Sequence, residues 1–132
     1  MRELQDHKIN DFNTDCLSVA CIDAPDDGIG GGVCHAYRIS YDPDDNGYRR
    51  IHAVDFQRGP VAEVGVNGIS QEALLAIVID RLRHFQKGPF RCRENALALT
   101  KFEEGMQWLH ARTRSRVAAG VEGTHGVREE EG

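Results

Sequence analysis

ISQEALLAIVIDRLRHFQKGPFRCRENALALTKFEEGMQWLHARTRSRVAAG, residues 69–120, is where the apolar pattern leaves a period of two and takes up helical spacing. Ser70 is a fitting N-cap, Ile69 before it can pack on Leu74 as a hydrophobic staple, and Gln71 and Glu72 suit the positive end of a helix. The spacing predicts a helix to about Gln86, with Leu74, Ile77 or Val78, Leu82 and Phe85 as its inner stripe. Lys87-Gly88-Pro89 ends it. A second helix is expected from near Cys92 to about Ala119, with Leu99, Phe102, Met106 and Leu109 on its apolar side and Gly120 as its C-terminal cap. Gly105 falls in its middle, at a cost on the order of 1 kcal/mol relative to Ala. Unbroken, this helix spans about 42 Å, more than one small sheet covers. The surplus apolar surface, Trp108 included, predicts contact with a second copy of the chain.

Upstream, apolar and polar residues alternate in LSVACID (17–23), VCHAYRISY (33–41), YRRIHAVDFQ (48–57) and the short AEVGV (62–66), the pattern of half-buried strands. DPDDNG (42–47) joins two of them, and its Asn46-Gly47 supplies the left-handed conformations of a tight hairpin. The expected architecture is therefore α+β. A loose arm (1–14) precedes an antiparallel meander of about four strands (15–66), followed by an antiparallel two-helix hairpin (67–120) and a C-terminal tail (121–132) whose last residues, REEEG, are expected to be disordered. At 132 residues one compact domain is expected, paired into an intertwined dimer or higher oligomer. A polar start and the lack of any long apolar run point to the cytosol, with no membrane partner. The four cysteines there are read as reduced.

The net charge of −5 argues against a nucleic-acid polymer as partner. Residues 81–116 depart from that average, carrying 9 of the 16 basic side chains against 3 acidic ones. Such a confined positive field suits a compact anion of one or two phosphates, or equally a solvated helix face.

Several motifs fail on their chemistry. Asp42, Asp44, Asn46 and Gly47 imitate the start of a calcium loop, but its twelfth position is Ala53 where a bidentate Glu is needed. GIGGG (28–32) lacks the Lys-Ser or Lys-Thr of a phosphate loop and precedes a strand. Cys16, Cys21, Cys34 and His35 have no paired C-x-x-C spacing, so no metal site is assigned. No catalytic residue is readable either: no nucleophile stands with its base, and His84 and His110 read as surface residues of the helices. No cofactor is implied.

Arg112 and Arg116 stand four apart, so on a helix both guanidinium groups leave one face and can fork onto a pyrophosphate. A solvated face accounts for the pair as well. Phe85 can stack on a purine or belong to the core. Asn95 can read an adenine edge or a ribose hydroxyl, or cap the helix. Seventeen residues separate Asn95 from Arg112, about 25 Å of continuous helix. Either the helix breaks, or two chains share one pocket.

The runs GPVAEVGVNGISQEALLAIVIDRLRHFQKGPF (59–90) and CRENALALTKFEEGMQWLHARTRSRVAAGVEGTH (92–125), about half the chain, resemble the first described family of phage Thoeris anti-defence proteins. That family shares its helical hairpin with phage sponges of cyclic-oligonucleotide signals. The resemblance implies a sponge that captures glycocyclic ADP-ribose, made by a TIR-domain protein, and holds it uncut so that an NAD-depleting effector stays inactive. It further implies that Phe85 packs on adenine, Asn95 makes a polar contact, and Arg112 and Arg116 contact phosphate. Some similar proteins are trimers of dimers, hence hexamers, and take cyclic di- or trinucleotides at other sites. A hydrolase of the same signal and a protein-binding adaptor are the competing readings.

Overall fold

The computed structural model describes residues 1–11, 15–24, 32–43 and 47–120. Four strands form one antiparallel meander in the order β1 (Arg2–Leu4), β2 (Ser18–Cys21), β3 (Ala36–Tyr41) and β4 (Arg50–Asp55). Three helices follow: α1 (Val61–Val64), α2 (Gln71–Lys87) and α3 (Arg93–Ala118). The α+β arrangement and the meander agree with the sequence pattern, but the strands are not all the expected ones.

The arm expected to be loose contains β1, with Arg2 opposite Cys21 and Leu4 opposite Val19. Three residues are too few to display a period of two, and strand pairing is made by the main chain, which side-chain patterning does not report. Beyond β1 the arm is tied back by the His7 ring, hydrogen-bonded to the Leu17 carbonyl at 2.8 Å, and by the Asp15 carboxylate, which accepts from the N–H groups of Ile9 and Asp11 at 3.1 Å each. AEVGV, expected as a strand, instead holds the single helical turn α1, bracketed by Pro60 and by Gly65 at φ +77°. Proline suits the start of a helical turn and a left-handed glycine closes it, and these two residues override the alternation between them.

β2 and β3 pair from Ser18 opposite Ser40 to Cys21 opposite Tyr37, and β3 and β4 from Ala36 opposite Asp55 to Tyr41 opposite Arg50. In the β3–β4 loop Gly47 takes φ +77° and Arg49 pairs with Asp42 at 3.5 Å; Asp44 and Asn46 of the calcium-like motif lie outside the described residues. Residues 28–31 of the glycine run and the tail from 121 lie outside them too.

Chain contacts gather into two compact units: Met1–Gly59 with Val64–Ile69, and Pro60–Glu63 with Ser70 onward. The first centres on buried Cys21, Cys34, His35 and Ala36. Asp23 organises this core, its carboxylate accepting from the main-chain N–H of His35 at 2.9 Å and of Ala36 at 3.0 Å while pairing with Arg58 at 3.1 Å. The His35 hydrogen bond, then that of Ala36, holds its pKa far below the usual carboxylate range against the opposing effect of burial. After β4 the chain turns through a carboxamide clasp. Gln57 donates to the Gly59 and Gly65 carbonyls and accepts from Asn67 N–H at 2.9 Å, while Asn67 accepts from Arg58 N–H at 2.8 Å and donates to its carbonyl at 2.9 Å. Gly68 then passes so close to the Phe56 backbone that no Cβ fits.

In the second unit Ser70 caps α2 as expected, accepting from Ala73 N–H at 3.2 Å. Its most buried residue is Ile79, 5% exposed, flanked by half-buried Leu75 and Leu82, whereas Ile77 is 60% exposed. The expected inner stripe is thus displaced by part of a turn. ALLAIVI is apolar nearly all round, so two stripes fit the helical period equally well, and packing against α3 selects the one through Ile79. Helix α3 is continuous through Gly105 and has no buried residue, leaving Phe102, Trp108 and Val117 exposed. Arg83 forks onto Glu103 through Nε and Nη2, at 3.3 and 2.7 Å, across the two helices. Among the described residues no helix is long and apolar enough to cross a membrane.

Candidate functional site

The closed end of the hairpin is built by one side chain. Gln86, half-buried in the last turn of α2, donates to the Cys92 carbonyl at 3.0 Å and accepts from Cys92 N–H at 3.1 Å. This two-way bond fixes the residue that caps α3, for the Cys92 thiol accepts from Asn95 N–H at 3.4 Å. Asn95 is therefore not the cap; its main chain is the capped group, and its half-buried carboxamide is not consumed in capping.

On the same end lies a pocket of about 390 Å³, lined by Asp80, Arg81, His84, Phe85 and Phe90 together with the Gly88-Pro89 turn. The Arg81 guanidinium lies over the Phe85 ring, 5.6 Å from its centroid, and Phe85 is 38% exposed. The His84 ring is hydrogen-bonded to the Asp80 carbonyl at 2.8 Å, which fixes it on the rim. An aromatic floor beside a guanidinium offers stacking to a planar base and charge to an anion, the two demands of a nucleotide. The volume falls within the range of small-ligand sites.

The predicted site residues fall into two groups. Phe85 and Asn95 sit at the closed end of the hairpin, on the last turn of α2 and the first turn of α3. Arg112 and Arg116 sit near the other end of α3, about 25 to 32 Å away along an unbroken helix. They share one face, as the four-residue spacing requires; Arg112 is exposed and Arg116 half-buried. Basic groups in a last helical turn also favour the negative end of the helix dipole, a structural role open to Arg116. Within one chain the four residues do not meet.

Sequence reasoning missed Arg81, His84 and Phe90. Arg81 precedes Phe85 by four residues, a spacing that predicts the stacked pair, and Phe90 follows the Gly-Pro turn as a second aromatic at the same end.

Residues 50–114, from β4 into α3, match the Acb2/Tad1 hairpin domain. This match covers just under half of the chain. It is also 54% identical, over 76 residues, to a protein of Bacillus phage SBSphiJ7 described as Thoeris anti-defense 1. The matched stretch covers 58% of this chain and 54% of that relative, so the chain spans about half the length of the protein it matches.

Proposed function

We propose that this chain is an anti-defence protein of the Thoeris type that binds glycocyclic ADP-ribose in the bacterial cytosol and holds it without cleavage. The observation that carries this reading is the unbroken α3, which parts an aromatic and carboxamide end from a paired-arginine end by about 25 Å. A second hairpin running antiparallel to the first brings the two ends together. Phe85 and Asn95 of one chain then cover the base and ribose, while Arg112 and Arg116 of its partner fork onto the diphosphate. The exposed apolar residues of α3, Trp108 foremost at 77%, are the surface such pairing covers. Assembly of such dimers into hexamers, and binding of cyclic di- or trinucleotides elsewhere on the chain, belong to the same proposal through the family resemblance.

The test is capture and release. The protein is incubated with the isomers of glycocyclic ADP-ribose, washed, denatured by boiling, and the released compound identified by mass spectrometry. Intact ligand supports sequestration; hydrolysis products refute it in favour of an enzyme; no retained compound refutes binding and favours an adaptor. Arg112→Ala is expected to abolish retention with the thermal transition of the unliganded protein unchanged.

A further inference from the structure

Two thiols of the first unit converge where no ligand role has been assigned. Cys21, at the end of β2, and Cys34, two residues before β3, both donate to the carbonyl oxygen of Asp23, at 3.3 and 3.5 Å. Their sulfurs and the Asp23 carboxylate lie within 4.8 Å of one another. Both cysteines are buried, 1% and 8% exposed, and neither is bonded to another cysteine. Two sulfurs and a carboxylate is also a partial metal-ligand set, but its surroundings oppose a cation. The carboxylate already accepts from His35 N–H, Ala36 N–H and Arg58, and β1 places Arg2 directly opposite Cys21. The Arg2 guanidinium reaches the sulfurs, its pKa raised first by its hydrogen bond with Cys34. Two guanidinium groups beside a carboxylate already engaged disfavour a divalent ion, whereas two adjacent thiols are what disulfide exchange needs; the hydrogen bond with Cys34, then burial, pushes the Cys21 thiol up and leaves it the second to react.

We propose that Cys21 and Cys34 are an oxidation site that closes to an intramolecular disulfide on reaction with a low-molecular-weight disulfide and reopens with excess thiol. Cys34, the more exposed of the two, gives up its proton and attacks one sulfur of the reagent. The reagent's S–S bond breaks and its first half leaves as a thiolate that takes up that proton. Cys21 then attacks the Cys34 sulfur of the mixed disulfide, and the second half departs with the Cys21 proton. Two protein thiols are oxidised by two electrons, and one reagent disulfide is reduced to two thiols.

The experiment uses the full chain with Cys16→Ser and Cys92→Ser, which remove the two exposed thiols. It is treated with oxidised glutathione and weighed intact. The expected result is a loss of about 2 Da per chain, reversed by dithiothreitol, and a melting temperature raised by roughly 10 °C for a closed loop of about 14 residues. Cleavage of the denatured product at Asp26 or Asp27 should leave two fragments that separate only on reduction. A persistent glutathione adduct, or two thiols still free for alkylation after unfolding, overturns the proposal. So does one zinc per chain that survives dialysis and is lost with Cys34→Ser.

Discussion

Replacing Gln86 by Leu keeps the volume of a half-buried side chain while removing both of its hydrogen bonds to Cys92. Each such bond contributes about 1 kcal/mol net, so roughly 2 kcal/mol of stability should be lost. At about 4 °C per kcal/mol for a chain of this size, the melting temperature should fall by roughly 8 °C. Differential scanning fluorimetry of purified protein at neutral pH measures it. Gln86→Glu separates the two bonds, because a carboxylate can accept from Cys92 N–H but cannot donate to its carbonyl; its loss should be greater than that of Leu at the carbonyl and smaller at the amide, with a net transition between wild type and Leu. The same series should lower ligand retention in the same order, since Gln86 sets the spacing of Phe85 and Asn95. An unchanged transition for Leu, or retention that ignores the series, would refute the role given to this turn.

Gly68→Ala should be among the most damaging single changes, costing about 3 kcal/mol or more, because its Cβ would enter the Phe56 backbone, which cannot yield as a side-chain tip does; urea unfolding measures the loss. The depressed pKa of Asp23 makes a stability contribution that is complete above the unfolded value of about 4 and drains away as pH falls below it. Acid titration followed by near-ultraviolet circular dichroism should thus show a transition below pH 4 that moves upward or vanishes in Asp23→Asn, whose side chain does not titrate. Trp108→Glu places a charge on the surface proposed to pair, and light scattering should report a shift towards monomer with the helical signal retained.

The parts of this fold legible in the sequence are those dictated locally. Ser70 and Gly120 announce the ends of the hairpin because a cap is a contact between near neighbours, and the alternation in 33–41 announces β3 because both its faces are half-covered. β1 was invisible because its partners lie fifteen to nineteen residues away and are joined by main-chain groups. α1 was misread because Ala62, Val64 and Val66 alternate well enough with Glu63 and Gly65 to imitate a strand, while the deciding terms are the fixed φ of Pro60 and the left-handed Gly65. The candidate site divides the same way. The spacing of Arg112 and Arg116 was legible as one helix face, but which apolar stripe of α2 turns inward depends on α3, and that choice is what leaves Phe85 exposed.

An α3 that runs unbroken through Gly105 has a consequence for dosage. Under the proposed pairing a lone chain owns two half-sites and no whole one. Below the dimer dissociation constant, the number of working sites then rises with the square of chain concentration. Early in expression each doubling of protein would quadruple the sites able to hold signal, and only once pairing saturates would the two rise in step.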